Sequence, residues 1–80
     1  MRKVRLRERK LGREDAWGVS WFEHKLVEID PRQNSKSRMN TIIHEALHQS
    51  DDKMSERKIR HAARIITELL YGDGYRRIMK

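Results

Sequence analysis

An α+β fold is predicted for this 80-residue chain: a small antiparallel sheet of about three strands followed by two antiparallel α-helices. Two observations predict it. Short apolar or alternating runs fill the chain up to Pro31, and longer segments beyond it carry apolar residues at three- and four-residue spacing. Nothing in the sequence reads as a repeat or a linker, so residues 1–80 are expected to form one domain. Its sheet half is 1–31 and its helical half is 35–72.

The elements follow in order. Val4-Arg5-Leu6-Arg7 alternates apolar and basic residues, the pattern of a half-buried strand. Gly12-Arg13-Glu14-Asp15 reads as a turn. Ala16 to Phe22 is aromatic-rich, Leu26-Val27-Glu28-Ile29-Asp30 is short and β-branched, and a polar turn near Glu23–Lys25 separates these two strands. Pro31, with no N–H to donate, ends the third strand. Ser35 or Ser37 can cap a first helix running to about Ser50. After the connector Asp51-Asp52-Lys53, Ser55 caps a second helix that reaches Tyr71 and stops at Gly72 and Gly74. So short a connector makes the helices antiparallel neighbours.

Composition narrows the chemistry. Hydrophobic residues make up 36% and charged residues 39%, so the core is thin and a bound metal or a partner subunit would help to hold it. With no cysteine there is no disulfide framework, thiolate zinc finger or cysteine nucleophile, and any metal site must use His, Asp and Glu. The basic N-terminus leads into no apolar run and no stretch reaches membrane-spanning length, so a cytoplasmic protein without membrane contact is expected. The net charge of +7 is concentrated up to Arg13, over Arg57–Arg64, and at Arg76, Arg77 and Lys80. Such a surface suits nucleic acid or an acidic protein, or serves only solubility.

The residues that carry chemistry are His44-Glu45-Ala46-Leu47-His48. Four residues apart on a helix, His44 and His48 share a face and can grip one metal ion. Ile42, Ile43, Ala46 and Leu47 centre on a direction roughly 150° from the two histidines, so these are not simply residues of the apolar stripe. The plain alternative is a solvated polar helix face. No Gly-rich phosphate loop or nucleophile elbow occurs, and Ser20, Ser35, Ser37, Ser50 and Ser55 lack the surroundings of a catalytic triad.

Thr41-Ile42-Ile43-His44-Glu45-Ala46-Leu47-His48 resembles the active-site helix of the zincin metallopeptidases. The order of a strand, this helix and a second helix resembles short zincin-like proteins of phages and bacteria. The resemblance implies zinc, with His44 and His48 as ligands and Glu45 as the base that takes a proton from zinc-bound water. It also implies a motif helix packed on a small sheet and a peptide or protein substrate, held in many zincins by strand addition. A metzincin would have glycine at position 51 and histidine at position 54, where this chain has Asp51 and Met54. A SprT-like chain would have a further histidine soon after His48, and an ImmA-like one often has histidine where Asp52 stands. The gluzincin-like arrangement, with a glutamate on the following helix, fits best.

Asp51, Asp52, Glu56, His61 and His24 are candidates for a third ligand. On the second helix, Ile59, Ala62, Ala63, Ile66, Leu69 and Leu70 form the apolar stripe. Glu56 lies roughly 75° from its centre and His61 roughly 155° away. Phase therefore favours Glu56, although height along an antiparallel pair favours His61. Asp52 is the next choice, within reach if the connector bends, and His24 reads as a turn residue. Glu56 has a plainer role as an acidic residue at a helix N-terminus. Trp17, Trp21 and Phe22 could line a substrate but read first as core, and Tyr71 and Tyr75 as helix-end packing. The expected function is zinc-dependent peptide hydrolysis. The alternatives are a basic nucleic-acid-binding module, through the stripe Arg57, Arg60, His61 and Arg64, and a zinc-stapled domain without catalysis.

Overall fold

The computed structural model describes residues 3–12 and 16–78; most of the Gly12–Asp15 turn lies outside them. Three strands, β1 (Arg5–Glu8), β2 (Gly18–Trp21) and β3 (Leu26–Ile29), precede two helices, α1 (Ser35–Ser50) and α2 (Glu56–Gly72). The α+β class and the order of elements are as expected, but the sheet is mixed. Its order is β1-β3-β2, with β1 parallel and β2 antiparallel to β3.

The physical reason for this departure lies after β1. Leu11 is fully buried, and its backbone N–H donates to Asp30 Oδ2 at 2.9 Å. That contact ties the chain leaving β1 to the end of β3, and the chain then returns as β2 along β3's other side. Between β2 and β3 the chain reverses over Phe22–Lys25. Lys25 adopts a left-handed backbone (φ 49°), and its N–H donates to Phe22 O at 3.2 Å. Asp30 stands just beyond β3. Its two oxygens also accept from the Arg32 backbone and guanidinium, and the guanidinium chiefly holds the carboxyl well below the usual carboxylate range.

Helix α1 covers one face of the sheet, and α2 packs on α1. Val27 and Ile29 on β3 are buried, with Ile59 and Ala63 of α2 fully so. Asn34, not Ser35 or Ser37, caps α1: its side chain accepts from Ser37 N, one of the orphan N–H groups of the first turn. Ser55 caps α2 as expected by accepting from Lys58 N. The pair is antiparallel, since Asn40 early in α1 meets Thr67 late in α2 (3.2 Å) while His44 and His48 meet Glu56. Leu69, assigned to the apolar stripe, is instead 69% exposed. No helix among the described residues is long and apolar enough to cross a membrane.

The opposite face of the sheet is closed by charge. Glu28 is buried in β3 and accepts from Arg7, Arg9 and Trp21 Nε1, the indole bond being 2.7 Å. Trp21 is therefore not core: it is exposed, and the edge of its ring donates to a carboxylate. The Arg9 hydrogen bond, followed by those from Arg7 and Trp21, outweighs burial and lowers the Glu28 pKa from 4.5 to about 2. A depressed folded-state pKa gives stability that is present above pH 4.5 and is lost as pH falls through about 2. Urea denaturation of wild type should show its midpoint falling across that window. Glu28→Gln should cost about 1–2 kcal/mol at pH 7, limited by the solvent exposure of both arginines, and should flatten the acid limb. An unchanged acid limb would contradict this assignment.

Candidate metal centre

The site is built on the middle of α1. Residues four apart place His44 and His48 on one face, with ring centroids 5.0 Å apart. The turn between the helices brings the third group. Asp51 N–H donates to Leu47 O, Met54 N–H donates to Asp51 O, and the Asp51 carboxylate accepts from Lys53 N. This compact connector starts α2 at Glu56, directly beside the last turns of α1. Glu56 Oε1 lies 2.7 Å from His44 Nε2, and Glu56 Oε2 lies 3.1 Å from His48 Nε2. One potential donor atom from each of the three residues falls within a common span of 4.8 Å.

The other candidates for a third ligand are elsewhere. The Asp51 side chain is occupied within the connector, Asp52 is exposed, and His24 is exposed in the β2–β3 turn. His61 is exposed on α2 and lines a different groove. A side chain at the start of α2 reaches the histidines, whereas one at the right height but the wrong phase does not.

Glu45 points to the sheet. It is 8% exposed, and its Oε1 lies 2.9 Å from the Ser20 hydroxyl, which is also 3.0 Å from the Glu45 carbonyl oxygen. The hydroxyl has one proton and serves one of these oxygens at a time. Gly18 makes this close approach possible. A Cβ there would lie 2.6 Å from Thr41 Cγ2 and 3.0 Å from Glu45 Cγ, inside normal contact. Sequence reasoning missed both Ser20 and Gly18. The sole available signal was their two-residue spacing, which puts them on the same face of β2.

A cleft of about 550 Å³ opens beside these groups. Its walls include Trp17 to Ser20 and Phe22 on one side, and His44, Glu45, His48 and Glu56 on the other. Trp17 and Phe22, read first as core, are 57% and 43% exposed here. Tyr71 does pack at its helix end, beneath the Arg76 guanidinium at 3.3 Å, whereas Tyr75 is exposed.

The donor types are those of a first-row divalent metal such as zinc. Two imidazoles and a carboxylate leave one of four tetrahedral positions open. Bonds of about 2.0–2.1 Å would set the donors roughly 3.3 Å apart, slightly wider than the present His–Glu contacts. The three donors together span up to 4.8 Å, so the side chains would have to adjust to close on one ion. Against protein-family models, curated proteins and solved structures alike, the chain finds no match.

Proposed function

We propose that the chain is a zinc-dependent metallohydrolase of the zincin type, acting on a peptide bond. The observation that carries this reading is the convergence of His44, His48 and Glu56 beside a cleft that also receives Glu45. Zinc bound by those three residues would supply a Lewis acid and make a coordinated water a better nucleophile at neutral pH.

The protein's own groups do the rest. Glu45 accepts the proton of the attacking water and delivers it to the leaving amine nitrogen. The Ser20 hydroxyl holds the Glu45 carboxylate against β2, which limits its rotamers. β2 is an edge strand, with β3 on one side only, so an extended peptide can pair along it beside the cleft. Trp17 and Phe22 would then cover the apolar part of such a peptide. A cytoplasmic location belongs to the same proposal.

A second reading keeps the metal and omits catalysis. Because the cluster joins the end of α1 to the start of α2, zinc there would staple the helix pair.

Metal content of protein purified without added zinc, and again after zinc loading and desalting, tests the shared premise. About one zinc per chain is expected, falling to near zero in His44→Ala. Zinc-loaded wild type should then cleave members of a fluorescence-quenched peptide library. Absence of metal after loading sinks both readings. Bound metal without cleavage leaves the staple.

A further inference from the structure

A second, larger concavity lies along the helices, with a volume of about 1390 Å³. Its lining includes Arg57, Arg60 and Arg64 of α2 and Lys36 of α1, with Glu68 the single carboxylate among its described lining residues. The three arginines recur at three- and four-residue spacing, so they share one stripe spread over about 10 Å of helix axis. Arg60 and Arg64 approach Glu56 and Glu68 at 4.0 and 3.7 Å, beyond hydrogen-bond distance, and both are more than 70% exposed. Their guanidinium donors therefore face the groove's solvent without strong internal partners.

Trp17 stands where this groove meets the metal cleft, lining both. Its side chain is exposed, but its backbone is fixed. The Trp17 carbonyl accepts from Asp30 N–H at 2.9 Å and from Gln33 Nε2 at 3.3 Å. An exposed indole on a fixed backbone beside a row of arginines matches the two needs of an unpaired nucleic-acid strand: cations for phosphates and a flat apolar surface for a base. A duplex offers no free base face, and an acidic peptide has no need of the indole.

We propose that this groove binds single-stranded nucleic acid, with Arg57, Arg60 and Arg64 on the phosphates and Trp17 stacked on a base. The groove adjoins the metal cleft and shares Trp17 with it, and the proposal stands whether or not the chain hydrolyses peptides.

Fluorescence anisotropy with a fluorescein-labelled oligothymidylate of about 15 nucleotides tests it. Three phosphate contacts predict a slope of about −2 in a plot of log affinity against log salt. The variant Arg57→Gln/Arg60→Gln/Arg64→Gln should bind at least tenfold more weakly with a flatter slope, and Trp17→Ala about fivefold or more weakly. Circular dichroism checks that each variant, exposed at every substituted position, remains folded. A control that removes the same charge elsewhere, Lys3→Gln/Lys10→Gln/Lys53→Gln, should bind within about twofold of wild type. No binding at low salt overturns the proposal, as does equal loss in the control. Displacement by polyglutamate as readily as by unlabelled oligothymidylate also overturns it, and would make the occupant an acidic peptide.

Discussion

Glu45→Gln is expected to lower peptide turnover by about a hundred- to ten-thousand-fold, while zinc stoichiometry stays at its wild-type value. Glutamine has nearly the volume of glutamate, and its carbonyl oxygen can still accept from Ser20. The Gly18–α1 packing therefore has no reason to change, and the variant should melt within a few degrees of wild type. Basicity alone is removed. The readout is kcat and KM on whichever library peptide wild-type protein cleaves, with metal measured on the same samples. A fall in kcat at constant KM and constant zinc is the signature of a lost proton acceptor. Turnover unchanged by the substitution would mean that Glu45 is not the base and that its burial against β2 is only structural. Loss of zinc together with activity would instead mean that Glu45 helps to hold the metal, contrary to its present direction toward Ser20.

Much of the site was legible because it is local. His44 and His48 need only one helical turn to meet, and that periodicity is written in the sequence. Glu56 required one more step, the phase of α2 relative to its apolar stripe, which Ile59 and Ala63 bear out by being fully buried. The connector geometry around Asp51, a short-range matter, then brought the helices into the right relation. What was not legible depends on contacts between distant parts of the chain. The strand order turns on Leu11 meeting Asp30, nineteen residues apart, and no alternation within β1 or β3 encodes that meeting. Ser20 became relevant only when β2 fell across from Glu45. Aromatic residues were misjudged for a related reason. A tryptophan signals core in most small domains, yet Trp21 hydrogen-bonds into an ion cluster and Trp17 lines a groove. The capping error at α1 was smaller: Asn34, one residue ahead of Ser35, is as good a cap by chemistry.

Zinc binding should raise the thermal midpoint by about 15–30 °C when free zinc is roughly a thousandfold above its Kd. Linkage gives about 4 kcal/mol under that condition, whatever the metal does chemically. The effect should be conspicuous here because the described core is small. Its buried apolar side chains are Leu11, Leu26, Val27, Ile29, Ile59 and Ala63, and only two of them belong to a helix. The polar contact between the end of α1 and the start of α2 runs through His44, His48 and Glu56, two of them partly exposed and the third half-exposed. Without metal, the Glu56 carboxylate can only hydrogen-bond to the imidazoles in competition with water, a modest net gain. With metal, all three would be fixed to one centre and the helix pair could not separate without releasing it. Differential scanning calorimetry with zinc, then with EDTA added, measures the effect and its reversal. His44→Ala should melt near the EDTA-treated wild type and show no zinc-dependent shift. Glu56→Gln, which keeps a neutral oxygen donor, should show a reduced shift. A midpoint indifferent to zinc in wild type would remove the metal from both the hydrolytic and the stapling readings. An equal shift in wild type and His44→Ala would place the bound zinc at some other group of ligands.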